Sequence, residues 1–559
     1  MRYKLLAVIC IGFILWFTIQ PVEMSWTETD VRLTEVIGGV AVVAVLMLLW
    51  RRRQTCLSAV DVVVTLWFVY VMLRAYVDPV YPCAHFCLRS MQMFALYIVV
   101  RLLLSSVDMT ERVLVVGILI CAGYEVFVGA GQLLNGTSRH YLYALSGTFL
   151  NPGPYSAFLS MGLVMSCQLK KGYWLPAVFL VLLPATWSRA ALVSAAVCLG
   201  IIYWDQWKRW RWWVFLAAVL ALTGLYFLKQ GSANGRSIIY LISLLCICQH
   251  PVFGSGIGSF CHQYAEGLSS FYAWHPSFSF QSADVTDSAY NSLLQIGVEQ
   301  GLTGVVITVV LIALLFFKLK AQGKVLGMGL FCLLIFSMFS YPLDLLPYQI
   351  LFVLISAFAA SENKGAVLLT RQHQRYLIPI TITCCVIMFS NITYKAIKNR
   401  AIAETDYKIT AGISHAGFID NYYSILPLLR NNPHFLFDFG KILSEEKRYN
   451  DSNAILCMGT LVSNDPMFYI VQGNNYSEMG FYQEAEQAYL KAFSVMPNRI
   501  YPLYRLMLLY KKEGCKAQME SMAMRVVSFN EKIVSPATDE MREKAKEIAY
   551  YLKESMNDL

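Results

Sequence analysis

Charged residues are scarce in this chain, and their scarcity excludes most soluble classes of protein. Only 14% of the 559 residues are Asp, Glu, Lys or Arg, whereas 57% are hydrophobic. Soluble globular proteins are roughly 45–50% apolar and about 25% charged. A soluble enzyme is therefore excluded. A disordered chain is excluded as well, because disorder requires low hydrophobicity and high charge.

The cysteines lack the spacing of a metal site or a disulfide scaffold. The chain has 15 cysteines, but none forms a CxxC pair with metal-binding spacing. Most lie inside apolar stretches, where cysteine behaves as a small hydrophobic residue. A disulfide-rich fold is therefore excluded.

Long apolar stretches are abundant over the first two thirds of the chain. About 12–14 such stretches recur between residues 3 and 391, and a bilayer core requires about 20 apolar residues per helix. The sequence therefore predicts an all-α fold, with a polytopic helical membrane domain over residues 1–394. We expect a soluble helical domain over residues 395–559.

Clusters of basic residues alternate along the membrane domain and predict its orientation. They occur at 51–53, 208–211, 318–324 and 364–375, whereas basic residues in the other connections stand singly. The positive-inside rule then predicts a cytoplasmic N-terminus in the bacterial inner membrane. The large loop 229–290 and the C-terminal domain are predicted to be periplasmic. The net charge of +9 reflects these clusters and does not indicate nucleic-acid binding.

The C-terminal domain shows the spacing of a helical repeat. Small and aromatic residues follow the 34-residue tetratricopeptide pattern, namely Gly473, Tyr476, Gly480, Ala485, Tyr489, Ala492 and Pro497. Such solenoids offer concave surfaces to other proteins, so we expect a possible protein partner on this domain. A generic helical bundle is the alternative interpretation.

Polar residues next to apolar helices are costly and are therefore candidates for function. Asn151 lies in the turn SGTFLNPGPYSAFLS before a predicted span, where it could cap the helix or contact a substrate. Arg189 lies in TWSRAAL between two spans. Its planar guanidinium suits two phosphate oxygens, although an arginine that only reaches the membrane surface is the alternative.

The third candidate segment is a helix followed by a glycine-rich turn. Arg236 opens the predicted helix, which ends at His250, and Gly254, Gly256 and Gly258 follow. Backbone amides near such glycines could bind an anion, or the segment could be a flexible turn. A dinucleotide-binding loop is excluded, because no strand precedes the glycines.

The fourth candidate segment is DVTDSAYNSLLQIGVEQGLTG. Its predicted helix carries Asn291, Gln295 and Glu299 as one polar stripe on an otherwise apolar surface. The acidic residues before the helix could serve chemistry. Alternatively, Asp287 or Ser288 is the N-cap of the helix, where the helix dipole favours acids.

In this order, the four segments resemble the O-antigen ligase / O-antigen polymerase family. The pieces are GTFLNP, TWSRAAL, RSIIYLISLLCICQHPVFGSGIGSF and YNSLLQIGVEQGLTG, between Gly147 and Gly304. The resemblance implies a glycosyltransferase without metal or cofactor and with a periplasmic active site. Its donor would be a glycan on undecaprenyl pyrophosphate, presented from the membrane lipid. The acceptor would be the lipid A core, a second glycan or a protein hydroxyl.

By resemblance, Arg189 matches the arginine of the family's SR motif and Arg236 the arginine that opens the loop helix. Where the family has a His-Asn pair, this chain has Tyr290 and Asn291. Either another group takes the proton, or the chain is divergent or inactive. The nearby candidates for the base are Asp284, Asp287, Tyr290 and Glu299. Tyrosine is a poor base, because its pKa is about 10.

These considerations give one set of predicted site residues. The predicted catalytic residues are Arg189, Arg236, Asp287 and Tyr290. The predicted substrate-binding residues are Asn151, His250, Gly254, Gly256 and Asn291. A repeat-unit polymerase of the same family is the nearest alternative function. A lipid-linked sugar transporter and a non-catalytic envelope scaffold are alternatives from other classes.

Overall fold

The computed structural model describes residues 2–23, 25–51, 57–77, 83–140, 142–169, 172, 174–206, 208–209, 212–213, 224, 227, 230–361, 374–411, 419–532 and 534–557. Regular structure in these ranges is helical, and none of them contains a β-strand. The predicted all-α fold is confirmed.

Thirteen α-helices of the described residues precede the C-terminal region. They are α1 (Arg2–Trp16), α2 (Glu28–Arg51), α3 (Ala59–Val77), α4 (Ala84–Ser106), α5 (Glu111–Asn135), α6 (Pro152–Ser166), α7 (Leu175–Leu182), α8 (Arg189–Ile202), α9 (Gln230–Gln249), α10 (Phe260–Trp274), α11 (Ser292–Gln322), α12 (Lys324–Ser337) and α13 (Leu346–Ser361).

Several of these helices can cross a membrane. By length and composition, six described helices are long and apolar enough to do so, namely α1 to α5 and α11. Five further apolar helices are shorter, namely α7, α8, α9, α12 and α13. A multi-pass helical membrane domain is therefore present, while the number of crossings stays a prediction. The predicted span over residues 212–228 lies mostly outside the described residues.

Helix α6 lies at the centre of this domain. All of its residues except Gly153 are buried, and α5, α7, α8 and α12 pack around it. A helix that is buried on all sides needs apolar or small residues all round, which its sequence provides. At its N-terminal end, the ring of Tyr348 on α13 packs 5.7 Å from both Phe149 and Phe158, measured between ring centroids.

The predicted loop 229–290 contains two helices. The sequence predicts that Arg236 opens helix α9, but the helix begins six residues earlier, at Gln230, so Arg236 lies in its second turn. The helix ends at Gln249, next to the predicted end at His250. Helix α10 follows and packs against it. An irregular segment, residues 275–291, then leads to α11, and we call this segment the site loop.

The C-terminal region is also helical. Its helices are α14 (Gln374–Ala411), α15 (Ile419–Leu429), α16 (Pro433–Glu445), α17 (Tyr449–Thr460), α18 (Met467–Met479), α19 (Tyr482–Val495), α20 (Tyr501–Glu513), α21 (Lys516–Ser528) and α22 (Pro536–Asn557). Helix α14 runs without a break through residues 394 and 395, where the sequence predicts the domain boundary.

The turns between successive C-terminal helices recur at regular spacing. Lys447, Gly480 and Gly514 all have positive φ, and they stand about 34 residues apart. At Gly473, a Cβ atom would approach the ring of Tyr489 to 2.5 Å, so the helices meet closely where the pattern has a glycine. Assignment of these helices to the tetratricopeptide class stays a prediction.

Candidate active site

Arg236 lies against the ring of Tyr290, which precedes α11. The Cζ atom of Arg236 is 5.1 Å from the ring centroid, within the range of a cation–π contact. On another side, Tyr290 meets the ring of Tyr341 edge-on, with the centroids 5.6 Å apart. Tyr341 belongs to the connection between α12 and α13. Three distant parts of the chain therefore meet at Tyr290.

The backbone of Tyr290 is held in a strained conformation. Its φ is +50°, in the left-handed region that bulky residues seldom adopt, at a cost of about 1–3 kcal/mol. The hydroxyl of Tyr240 lies 3.2 Å from the Tyr290 carbonyl and 2.9 Å from the Met338 carbonyl, and can donate to either. Helix α9 therefore fixes both Tyr290 and the end of α12.

Asn291 caps helix α11. Its Oδ1 atom accepts hydrogen bonds from the amides of Leu293 and Leu294, each at 3.1 Å. The alternative cap that the sequence suggested, Asp287 or Ser288, is wrong, because the turn at Tyr290 delays the start of the helix. The predicted substrate-binding residue Asn291 thus has its carbonyl oxygen engaged with the helix.

Each of the two predicted arginines lies near the N-terminal end of its helix. Arg189 is the first residue of α8, and the Ser188 hydroxyl caps this helix by accepting from the Ala191 amide at 3.4 Å. The positive charges of Arg189 and Arg236 are close enough to interact electrostatically. Within the described residues, no carboxylate forms an ion pair with Arg236.

Asp344 shares this site, although sequence analysis did not identify it. It lies in the 3-10 turn that follows Tyr341, and it interacts electrostatically with that residue. The side chain of Asp344 is exposed, although protein atoms surround its carboxylate. This enclosure raises the pKa of Asp344 to about 7. No described side chain donates a hydrogen bond to it. We call the neighbourhood of Arg236, Tyr290, Tyr341 and Asp344 the recess, because Tyr341 interacts with the other three residues.

Two predicted catalytic residues, Asp287 and Tyr290, differ in what they can do. Burial raises the pKa of the Tyr290 phenol, and Arg236 only partly offsets this effect. The phenol therefore stays protonated at neutral pH and can donate a hydrogen bond but not accept a proton. Asp287 is exposed, and its charge reaches Tyr290 and Tyr341. It therefore lies at the rim of the recess.

The glycine-rich turn packs against α11 and uses its own amides. The amide of Gly254 donates to the His250 carbonyl and that of Gly256 to the Glu299 carbonyl, both at 3.1 Å. Gly254 also lies against the backbone of Gly301, where a Cβ atom on either residue would meet backbone atoms at 2.5 Å. These two amides are therefore engaged within the chain. The glycines serve close packing at the point where α11 kinks.

Glu299 is used in the same packing. It is 6% exposed, and its carboxyl group lies close to the backbone of Gly258 and Phe260 at the start of α10. A carboxylate at a helix N-terminus is favoured by the helix dipole. Glu299 is therefore buried in the contact between α11 and the start of α10.

His250 and Asn151 lie outside the recess. His250 is exposed at the end of α9, and 14 residues of helix separate it from Arg236, which is about 20 Å. Asn151 caps α6, because its Oδ1 atom accepts from the Gly153 amide at 2.9 Å. The structure thus gives Asn151 the capping role that the sequence suggested.

The turn before Asn151 is held by helix α5. Glu125 accepts from the Thr148 amide at 3.1 Å and from its hydroxyl at 2.7 Å. Gln132 accepts from the amides of Ser146 and Gly147 at 2.9 Å and 2.8 Å. The turn GTFLNP is therefore fixed by two buried polar side chains of one neighbouring helix.

The comparison with protein families bears on the segment that carries the recess. Residues 175–309 match the family model described as O-antigen ligase. The match includes Arg189, Arg236 and Tyr290, whereas Asn151 and Asp344 lie outside it. It supports the O-antigen ligase family and, in general terms, a ligase-like glycosyl transfer by a multi-pass membrane protein. A search of curated proteins gives no match.

Proposed function

We propose that the recess binds the pyrophosphate of a polyprenyl-linked glycan and transfers the glycan to an acceptor hydroxyl at the periplasmic face of the inner membrane. One observation carries this proposal. Arg236 stacks on Tyr290, with its Cζ atom 5.1 Å from the ring centroid, and its charge interacts with that of Arg189, in the segment that matches the O-antigen ligase family.

The charge arrangement favours an anionic ligand. Two guanidinium groups within electrostatic range repel each other, and no described acid pairs with Arg236. A pyrophosphate would relieve this repulsion, because each planar guanidinium can donate two parallel hydrogen bonds to phosphate oxygens. The stacking of Arg236 on Tyr290 would keep one fork in a fixed orientation.

The reaction then requires one proton acceptor. The acceptor hydroxyl oxygen attacks the anomeric carbon, and the bond from that carbon to the phosphate oxygen breaks with its electron pair on the pyrophosphate. The hydroxyl proton passes to a carboxylate. Asp344 suits this step, because its pKa of about 7 matches a general base at neutral pH. In this proposal, Asp344 takes over the role of the family's histidine, whose position in this chain holds Tyr290.

The acceptor class is the least constrained part of the proposal. The C-terminal helices contact the site loop, which favours a protein or a lipid-linked acceptor brought by a docked partner over a plain polymerase. The polymerase and the scaffold each predict a deletion phenotype that differs from that of a ligase. They are therefore outcomes of the first experiment.

Deletion of the gene would separate these functions. Gel analysis of lipopolysaccharide, capsule and glycoproteins is the measurement. Loss of long-chain polysaccharide on lipid A indicates a ligase, and single-repeat chains indicate a polymerase. Under-glycosylated proteins indicate a protein transferase. Unchanged profiles would contradict the proposal and favour a scaffold.

Arginine variants would test the recess itself. Arg189→Ala and Arg236→Ala should each cost about 2–4 kcal/mol of transition-state stabilisation, and lysine should restore only part of the activity. Activity is measured per inserted molecule, with lipid-linked donor and excess chelator. Arg139 is a matched control, because its guanidinium donates to the Thr148 carbonyl at 2.6 Å. Arg139→Ala should lower abundance instead of specific activity.

Two results would contradict parts of this mechanism. Full turnover in both alanine variants would contradict the proposal that the two arginines hold the pyrophosphate. A strict requirement for a divalent cation would refute the prediction that no metal takes part.

A further inference from the structure

The C-terminal region reaches into the site loop through one buried asparagine. Asn498 is 2% exposed, and its Nδ2 atom lies 3.1 Å, 3.3 Å and 2.7 Å from the carbonyl oxygens of Phe280, Gln281 and Ala283. Three acceptors around one atom identify that atom as the amide nitrogen. The irregular backbone of the loop thus bends around a single side chain.

A second asparagine holds the loop closer to the site. Asn464 is 1% exposed, and its Oδ1 atom accepts from the Thr286 amide at 3.2 Å. The Thr286 hydroxyl in turn donates to the Ser288 carbonyl at 2.7 Å. Tyr290 follows two residues later, so the C-terminal region constrains the backbone that leads directly into its strained conformation.

The same loop touches the helix that carries Arg236. A Cβ atom on Gly235 would lie 2.8 Å from the Ser282 carbonyl oxygen, so the loop and α9 are in close backbone contact. Ser282 lies between two of the carbonyls that Asn498 binds. Asn498 therefore fixes the loop at the point where it meets the residue next to Arg236.

The C-terminal region contacts helix α10 as well as the site loop, through both polar and apolar side chains. Lys491 forms an ion pair with Glu266 on α10 at 2.7 Å, and the hydroxyls of Ser269 and Ser494 lie 2.8 Å apart. Met496 is fully buried in the apolar cluster between α9, α10 and the site loop. The position of Asn498 is therefore set by a packed interface and not by a loose tether.

We propose that Asn498 is a positioning residue for the recess. Asn498 holds the site loop, so that Arg236 and Tyr290 keep their relative arrangement. This inference rests on the proposed glycan transfer for its kinetic consequence. Misplacement of reacting groups by about 1 Å can lower a rate by about 100-fold, so a residue without substrate contact can control turnover.

Asn498→Ala is the principal variant, and Asn475→Ala is its matched control. Asn475 is also a fully buried asparagine, but its Nδ2 atom donates to Ser452 and Asn453 at 2.8 Å, inside the C-terminal region. Loss of either asparagine should weaken the C-terminal region. Only the first removes contacts with the site loop.

The experiment uses the full chain in nanodiscs and two readouts. Hydrogen–deuterium exchange over residues 280–291 measures loop order, and initial rates of transfer with lipid-linked donor give kcat and KM. We expect Asn498→Ala to speed exchange in the loop and to lower kcat about 10- to 100-fold. Asn475→Ala should leave loop exchange unchanged and kcat within about twofold.

Asn464→Ala keeps the test decisive if Asn498→Ala fails to insert. It should speed exchange at the Thr286 amide, whose acceptor it removes. Unchanged loop exchange in either loop variant would overturn the inference, as would an equal loss of kcat in Asn475→Ala. If the wild type transfers no glycan, the proposed function fails, while the exchange readout still decides whether Asn498 orders the loop.

Discussion

Two turns in this molecule are built alike and held differently. Each turn precedes an apolar helix, and in each an asparagine caps that helix, Asn151 for α6 and Asn291 for α11. The first turn is fixed by Glu125 and Gln132 of the preceding helix, which lie 14 to 23 residues away in the chain. The second is fixed from the C-terminal region, 178 to 248 residues away.

We call the turn before Asn151 the scaffold turn and the turn before Asn291 the site turn. The first turn is held by side chains of the membrane domain, and its asparagine caps the buried helix α6. The second borders the recess of Arg236 and Asp344, and its conformation depends on a region outside the family-matched segment. The same kind of helix cap therefore occurs in one turn that a single domain determines and in one that two regions determine.

The largest expected effect belongs to the first turn. Gly147 has φ +60°, and a Cβ atom there would approach Tyr155 Cδ2 to 2.2 Å and Glu125 Oε2 to 2.4 Å. Gly147→Ala should cost about 2–4 kcal/mol through backbone strain and overpacking. Inserted abundance and thermal unfolding in detergent measure it. Gly136 has φ +66° with no atom within 4 Å, so Gly136→Ala should cost only the strain, about 1 kcal/mol.

The second turn borders the recess, where Asp344 titrates, so we expect the rate of transfer to depend on pH. Asp344 must be deprotonated to accept a proton, and its pKa is about 7. The rate should therefore fall tenfold per pH unit below about pH 7 and level off above it. Initial rates over about pH 5.5 to 8.5 test this. Asp344→Asn should be slow at every pH, and an unchanged acid limb in that variant would assign the titration to another group.

The two caps allow a direct comparison of the turns. Asn151→Ala and Asn291→Ala should each destabilise by about 1 kcal/mol, because each removes a side-chain acceptor at a helix N-terminus. We expect only Asn291→Ala to lower transfer per inserted molecule, since it adjoins Tyr290. Equal losses of activity in the two variants would remove the distinction between a scaffold turn and a site turn.

The smallest effect should come from the exposed end of the second turn. Asp284 pairs with Lys532 at 2.7 Å and with Arg499 at 3.4 Å, but its side chain is 54% exposed. Exposed ion pairs contribute about 0–1 kcal/mol, so Lys532→Ala should change turnover by less than about twofold. A loss as large as that in Asn498→Ala would mean that charge, and not the buried amide, holds the site loop.

The sequence predicts most of the fold and part of the site. Apolar length predicts the membrane helices, and a charged residue beside an apolar helix singles out Arg189 and Arg236, whose charges interact. Asp344 belongs to no motif, and only tertiary packing places it in the recess. The sequence allows an N-cap at Asp287 or Ser288 as well as the observed cap at Asn291, because local propensity does not distinguish several candidate caps within five residues.

The contacts of the site loop could not be predicted for a related reason. Periodicity and propensity act over a few turns of helix, whereas Asn498 meets Ala283 across 215 residues. The local sequences of Asn464 and Asn498 do not differ from those of a helix cap or a turn residue. The glycines at 254 and 256 show the opposite case, in which a local pattern suggests a role that the fold does not use. Their pattern is typical of anion binding, but the turn packs against Gly301.

This separation also imposes an order on biosynthesis. Chains grow from the N-terminus at about 5–20 residues per second, so the 215 residues between Ala283 and Asn498 take roughly 10–40 s to synthesise. During that interval, the loop has left the ribosome before the asparagine that binds it exists. Each new molecule therefore passes through a stage in which the arginine-bearing helices have been synthesised but the site loop lacks its Asn498 contacts. Assembly of the recess is thus tied to completion of the polypeptide.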